Sequence, residues 1–235
     1  MEPVRINKYL SEAGVCSRRE ADRLIAEGRV TVDGLKAETG MKLTSASRVL
    51  VDGKPVGKPA KPVLIAVYKP VGVVTTSAAD EPNNIVTYVG WPERIYPIGR
   101  LDKDSEGLIL MTNQGDLAED IAHARGRHEK EYLVTVDKGI TKEFCEKMAS
   151  GVRILNTTTR PCQVEKVSKY RFRIILTQGL NRQIRRMCEA LGYRVTELVR
   201  TRVMNITLNG LEIGHWRRIE GEEYEELLRG LGRSL

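Results

Sequence analysis

Aromatic side chains are scarce in this sequence, 5% of 235 residues. A surface that stacks many unpaired bases on ring faces is therefore not expected. Cysteine is scarce too: Cys16, Cys145, Cys162 and Cys188 occur with no C-x-x-C pair. The histidines, His123, His128 and His215, form no H-E-x-x-H. These spacings argue against a zinc site, and no metal is expected. Scattered cysteines and the lack of a signal-like apolar leader point to a reducing cytosol. No apolar run approaches the ~20 residues that cross a bilayer, so no membrane partner is expected. There is no low-complexity tract, and two short V-D-G turns do not make a repeat array. No helix-turn-helix with a clear recognition helix emerges, which disfavours a DNA-directed regulator.

What is present is a globular composition, 41% hydrophobic, with a net charge of +7 and a pI of about 9.3. That basicity favours a nucleic-acid partner, because Lys and Arg neutralise phosphates and release counterions. Anionic membranes attract the same charge. The length fits one large domain or a medium domain with a small companion. "GKPAKP", residues 57–62, has the composition of an exposed linker. It sets expected domains of 1–61 and 62–235.

In the first part, "INKYLSEAG" has helical spacing at Ile6, Leu10 and Ala13, with Gly14 as a stop. Ser17 and Glu20 form an S-x-x-E capping box ahead of Ala21, Leu24 and Ile25, and Gly28 ends that helix. Asp33-Gly34 and Asp52-Gly53 read as hairpin turns. Arg5, Lys8, Arg18, Arg19 and Arg23 surround the two short helices. They are candidate RNA contacts, although a charge run of this kind is commonly just a solvated face.

The second part reads as an α+β domain with a mixed or antiparallel sheet. "VLIAVYKPVGVVTT" predicts a buried strand, a turn and a second short strand. "GLILMTN", "EKEYLVTV", "VEKVSKYRFRIILT" and "VMNITL" predict further strands. Helices are expected in "GDLAEDIAHA", "TKEFCEKMASG" and "NRQIRRMCEALG", and a short acidic helix in "EGEEYEELLRGL". Asn181 is a candidate cap for the "NRQIRRMCEALG" helix. On it, Arg182, Arg185 and Arg186 share one face, while Ile184, Met187, Cys188 and Leu191 share the other. An arginine-rich helix start suits phosphate.

"GRLDKDSEG" places Asp102 between Arg100 and Lys103, with Asp104 and Glu106 close behind. Flanking cations favour an ionised carboxylate. Such a group can serve as nucleophile, general base or metal ligand. The residues alone leave a solvated loop open as well, and do not choose between Asp102 and Asp104.

"GRLDKDSEGLILMTNQGDLA", "KEYLVTV" and "LTQGLNRQIRRMCEALGY", in that order, resemble the three motifs of the RsuA family of pseudouridine synthases. The Gly-Leu-Asn-Arg-Gln form, followed by "RTRVMNITL", is most similar to its RluF branch. "NKYLSEAGVCSRREADRLIAEGRVTVDG" resembles the alpha-L RNA-binding domain that precedes the catalytic domain there. The resemblance runs from about Ile6 to about Trp216. It implies isomerisation of uridine to pseudouridine in RNA, with no cofactor. It implies Asp102 as the catalytic carboxylate, Tyr132 stacking on the base, Leu176 lining the uracil pocket and Arg185 paired with Asp102. Asp102, Tyr132 and Arg185 are then expected in one cleft, with Asp104 and Glu106 facing elsewhere. Arg100, Arg182 and Arg186 are the expected RNA contacts of this domain. The expected RNA is ribosomal, of the large subunit, with a transfer RNA or a non-catalytic ribosome-assembly role as alternatives. A monomer is the default.

Overall fold

A computed structural model describes residues 3–57, 60–78, 80–122, 127–208 and 210–233. The chain forms two compact units. The first takes the chain up to Val63, together with Pro92–Ile95 and Asn113–Gly115; the second holds the rest.

The first unit begins with β1 (Val4–Arg5), α1 (Ile6–Glu12) and α2 (Arg18–Ala26). The Glu20 amide donates to Ser17 Oγ at 3.1 Å, so Ser17 caps α2. The box does not close reciprocally, because the Glu20 carboxylate instead takes Arg23 at 2.5 and 3.0 Å. Next come β2 (Val30–Val32), β3 (Leu35–Lys36), β4 (Lys42–Leu43), β5 (Val49–Val51) and β6 (Lys54–Pro55). They form a sheet in the order β3-β2-β5-β6, while β4 pairs β1. Asp33-Gly34 and Asp52-Gly53 make the two sharp turns with both residues at positive φ. Ile6, Leu10, Leu24, Ile25, Val30 and Val49 form the core.

The second unit is built on a nine-stranded sheet. Its elements are β7 (Leu64–Lys69), α3 (Ile85–Val89), β8 (Tyr96–Ile98), β9 (Glu106–Thr112), α4 (Gly115–Ala122), β10 (Lys130–Val136) and α5 (Lys142–Ser150). A small β11 (Arg153–Ile154) and β12 (Thr157–Thr158) pair follows, then β13 (Gln163–Lys166), β14 (Arg171–Leu176), α6 (Gln183–Ala190), β15 (Val195–Val203), β16 (Ile206–Thr207), β17 (Trp216–Arg218) and α7 (Gly221–Gly230). The main strand order is β13-β14-β10-β15-β9-β7-β17, with β16 on β15 and β8 on β9. Where β15 meets β9 the pairing is parallel; the other pairs of this sheet are antiparallel. The mixed α+β sheet therefore agrees with the alternating strand pattern of the sequence.

Two helix-covered cores lie along the sheet. Phe144, Met148, Phe172, Ile174, Ile184 and Met187 anchor one, under α5 and α6. Leu108, Leu110, Leu117, Ile121, Leu227 and Leu228 anchor the other, under α4 and α7. The expected second strand in "GVVTT" does not form; only Val74 makes an isolated bridge, to Asn84. The Thr75 hydroxyl is instead engaged with Leu101. His123 and Ala124, expected to end α4, lie outside the described residues. Among the described residues no helix is long and apolar enough to cross a membrane.

The seam between β9 and β15 is tight at Gly107, whose φ is 113°. A Cβ there would fall 2.3 Å from the Arg200 carbonyl oxygen and 2.5 Å from its nitrogen. Neither neighbour is a flexible side-chain tip. Gly107→Ala is expected to lower stability by about 2–5 kcal/mol, combining backbone strain with overpacking. Urea unfolding of the variant checks this, and a loss under about 1 kcal/mol would mean that the seam adjusts freely.

Candidate active site

The strand ends and loops beside this seam enclose a cavity of about 490 Å³. Asp102, Tyr132, Leu176 and Arg185 all line it, as do Arg100 and Arg182. Arg186 is not among the lining residues. A loop, three strands and a helix start converge to make these walls. The loop between β8 and β9 carries Arg100 and Asp102. The middle strands β10, β14 and β15 carry Tyr132, Leu176 and Arg200. The start of α6 carries Arg182 and Arg185.

The Asp102 loop is held from below. Thr75 Oγ1 donates to the Leu101 carbonyl at 2.7 Å and accepts from the Leu101 amide at 3.3 Å. The Gly72 amide donates to the Lys103 carbonyl at 2.7 Å. The Ser105 amide donates to the Asp102 carbonyl at 3.1 Å, which closes a turn over Lys103 and Asp104. The segment is thus bent, and the three acids do not form one extended face. Glu106 opens β9, whereas Asp104 turns toward α6.

That bend changes which acid meets which arginine. Arg182 holds Asp104 through two parallel bonds of 3.0 and 2.7 Å. Arg185 donates to the Asp104 carbonyl at 2.7 Å and to Ser105 Oγ at 3.1 Å. Its Nε lies 3.4 Å from the Asp104 carboxylate without making a hydrogen bond. The expected Arg185–Asp102 pair is therefore replaced by an Arg185–Asp104 pair. Among the described residues the cation that reaches the Asp102 carboxylate is Arg182, at 3.7 Å. Asp104 does not face elsewhere, as the sequence reading expected; it anchors both arginines. The hydrogen bond from Arg182 holds its carboxyl below the usual carboxylate range.

The α6 start also differs in detail from the expected cap. Arg182 is the N-cap, with φ 48° and no side-chain cap bond. Gln183 turns back instead, and its Oε1 accepts the Leu180 amide at 3.0 Å. Asn181 accepts from Arg186 through its side-chain and backbone oxygens, both at 3.1 Å. The arginine-rich helix start is thus largely engaged by the protein's own oxygens. Ile184, Met187 and Cys188 are buried below it, as the apolar stripe predicts.

Three buried or half-buried cations went unnoticed in the sequence. Lys69 is fully buried and donates to the Pro70 and Val73 carbonyls, both at 2.8 Å. Burial, and next Arg200, bring its ammonium down to about 8. Arg200 is 3% exposed; its Nε donates to the Leu108 carbonyl at 2.6 Å and its Nη1 to the Arg100 carbonyl at 3.3 Å. Lys130 lines the cavity, and burial followed by Arg200 lowers its ammonium as well. The available signals were faint: a Lys ending an apolar run, an Arg inside a strand, and a Lys two residues before Tyr132.

Around the helices of the first unit, Lys8 lies 3.8 Å from Glu12, and Arg23 is braced by Glu20 and Glu27. Arg19 is exposed and has no ion-pair partner among the described residues, nor does exposed Arg5. Arg18 is half-buried.

The RNA pseudouridylate synthase model matches residues 63–190, and the S4 domain model matches residues 4–46. The chain is 52% identical over 234 residues to the dual-specificity RNA pseudouridine synthase RluF of Escherichia coli K12, covering 98% of this chain and 80% of that one. It is 37% identical over 233 residues to the ribosomal large subunit pseudouridine synthase B of Bacillus subtilis, covering 95% of each. A solved pseudouridylate synthase shares the fold with a TM-score of 0.70 and 24% identity, over 95% of this chain and 99% of that chain. Matched over residues 63–190 by the family model, and along nearly its whole length by relatives of one activity, the chain belongs to the RNA pseudouridylate synthase family.

Proposed function

We propose that this protein converts a specific uridine to pseudouridine in ribosomal RNA, with Asp102 as the catalytic carboxylate. The observation that carries the reading is the meeting of Asp102, Tyr132 and Leu176 on the walls of one cavity. An aromatic ring and an aliphatic side chain suit a base taken out of its stack. A carboxylate beside them suits chemistry at the attached sugar. Arg185 acts on this reading through the turn that carries Asp102, since its bonds go to Asp104 and Ser105.

The reaction is an isomerisation, so no redox step or added group is required. An ionised Asp102 has two routes: attack at ribose C1′, or removal of a proton from C2′. In both, the N1–C1′ bond breaks and its electron pair stays on the uracil. The base then turns and C5 bonds C1′, displacing the Asp102 carboxylate on the first route, or adding to the C1′–C2′ double bond as Asp102 returns the proton to C2′ on the second. C5 loses its proton and N1 gains one, which balances the reaction.

The names of the relatives support the choice of RNA. One acts on the ribosomal large subunit, and one is called dual-specificity. Large-subunit ribosomal RNA is the first substrate to assay. The dual-specificity name allows more than one RNA, and a structured transfer RNA is the alternative to include in the same assay. The expected domains, 1–61 as an RNA anchor and 62–235 as the catalytic part, complete the proposal.

Asp102→Asn removes the charge and keeps the shape. It is expected to cut the single-turnover rate at least about 1,000-fold while RNA affinity stays within about threefold. Full activity on a structured transcript would refute the assignment. Asp104→Asn loosens Arg182 and Arg185 together, and a misplacement of this kind is expected to cost about 10–100-fold in the same assay. An unchanged rate would remove Asp104 from the positioning scheme. In the first unit, Arg19→Ala should flatten the salt dependence of RNA binding by about one counterion, and the ion-paired Arg23→Ala by less. Titrations from low to moderate salt measure both slopes, and equal slopes would contradict this anchor.

A further inference from the structure

The cavity floor is a small patch of sheet whose side chains are set by strand register. In the β10–β14 pair, Lys130 lies opposite Leu176. In the β10–β15 pair, Lys130 lies opposite Val203 and Tyr132 opposite Arg200, with a register shift between Glu131 and Tyr132. Without that shift Tyr132 would face Thr201. The bulge therefore turns Arg200 onto the cavity side beside Tyr132, a common use of bulges next to functional sites.

Lys130 differs from the other two buried cations of this unit, of which Arg200 lines the same cavity. Lys69 and Arg200 are each held by two backbone carbonyls. Among the described residues the Lys130 ammonium has no hydrogen-bond acceptor and no carboxylate within ion-pair distance. It is partly desolvated and faces the cavity. An ammonium in that position can donate to an acceptor that enters the cavity.

Resting on the reading of Tyr132 as the base platform, we infer that Lys130 is a further catalytic residue, whose ammonium stabilises the negative charge on the uracil as the N1–C1′ bond breaks. The electron pair of that bond stays on the base and spreads onto its carbonyl oxygens. Lys130 donates a hydrogen bond to one of them and keeps its proton throughout. The charge on the base vanishes when C5 bonds C1′, so the interaction is strongest when the bond is broken. Preorganised donors of this kind act on the rate more than on binding. A depressed ammonium pKa is the counterpart of its partial desolvation, and it places the loss of the cation at a lower pH than for a solvated lysine.

Single-turnover rates, RNA affinity and its salt dependence, measured on the full chain for wild type, Lys130→Met, Lys130→Arg and Asp102→Asn, test this. Lys130→Met should lose about 100- to 1,000-fold in rate, with affinity within about threefold and an unchanged salt slope. Lys130→Arg should recover at least tenfold of that loss. It should also carry the alkaline fall in rate to higher pH than in wild type, since guanidinium keeps its proton. The substrate's own titration is common to all variants. A wild-type rate in Lys130→Met would overturn the proposal. So would a loss confined to affinity and salt slope, which would make Lys130 a phosphate contact. If Lys130→Met does not fold, the arginine variant decides: an alkaline fall at the wild-type position refutes the role, and a shifted one supports it. An inactive Asp102→Asn beside a fully active Lys130→Met would refute this inference alone, whereas an active Asp102→Asn would remove the underlying reading.

Discussion

The close approach of Gly107 to Arg200 is the constraint on which the second unit depends. It is where β9 runs parallel to β15, through Val199–Glu106 and Arg200–Gly107. The seam joins β7, β9 and β17 to β10, β13, β14 and β15 in one sheet. It also brings the loop before β9, with Asp102, alongside the strands that carry Tyr132 and Leu176. The backbones can meet only because residue 107 has no side chain. The Arg200 side chain strengthens the same join by reaching the carbonyls of Leu108 and Arg100. One residue thus supplies a backbone partner to the seam and a cation to the cavity wall.

A second layer of order comes from Asp104. Its side chain and carbonyl tie two arginines of the α6 region to the loop. Bidentate arginine–carboxylate contacts fix direction as well as distance. They also hold Arg182 in a left-handed conformation, which an ordinary side chain adopts at some cost in strain. With Asp104 engaged, the Asp102 carboxylate is left facing the cavity with a single arginine of the described residues at ion-pair range. Two acids two residues apart therefore have different surroundings. One stabilises the loop, and the other remains open to a ligand.

Local features were legible in the sequence because local chemistry sets them. Ser17 caps α2, the Asp-Gly pairs make sharp turns, and the buried stripe of α6 follows helical spacing. The failures share one cause, a competing partner brought in by tertiary structure. Asn181 turned to Arg186, and the Leu180 amide went to Gln183, so the expected cap was lost. Thr75 went to Leu101, so "GVVTT" did not extend as a strand. Arg185 met Asp104 because residues 102–105 form a turn, and a turn formed by a backbone bond leaves little trace in residue type. Composition suggested nucleic acid, but resemblance to a family, rather than spacing, singled out Asp102. Cavity-facing Arg200 was beyond reach for a different reason. Its orientation depends on a one-residue bulge in β15, and strict alternation assigns it to the opposite side.

The buried cations around the cavity raise an energetic question. Desolvating a charge is costly, and a one-to-one carboxylate partner is the usual compensation. Here Lys69 and Arg200 rely on backbone carbonyls, which satisfy their donors without cancelling their charge. Their field remains, and each further cation nearby becomes less favourable. Burial first, and then the Arg200 charge, lower the pKa of Lys130, which has no acceptor of its own among the described residues. A cation held in this state gains more from a transient anion than a solvated lysine does, because little water has to be displaced. Arg200 is fixed to backbone carbonyls while Lys130 has no acceptor among the described residues, so on the proposed role Lys130 can follow the charge that develops in the cavity. That division explains why a site with an open carboxylate on one wall also tolerates unpaired positive charge on its floor.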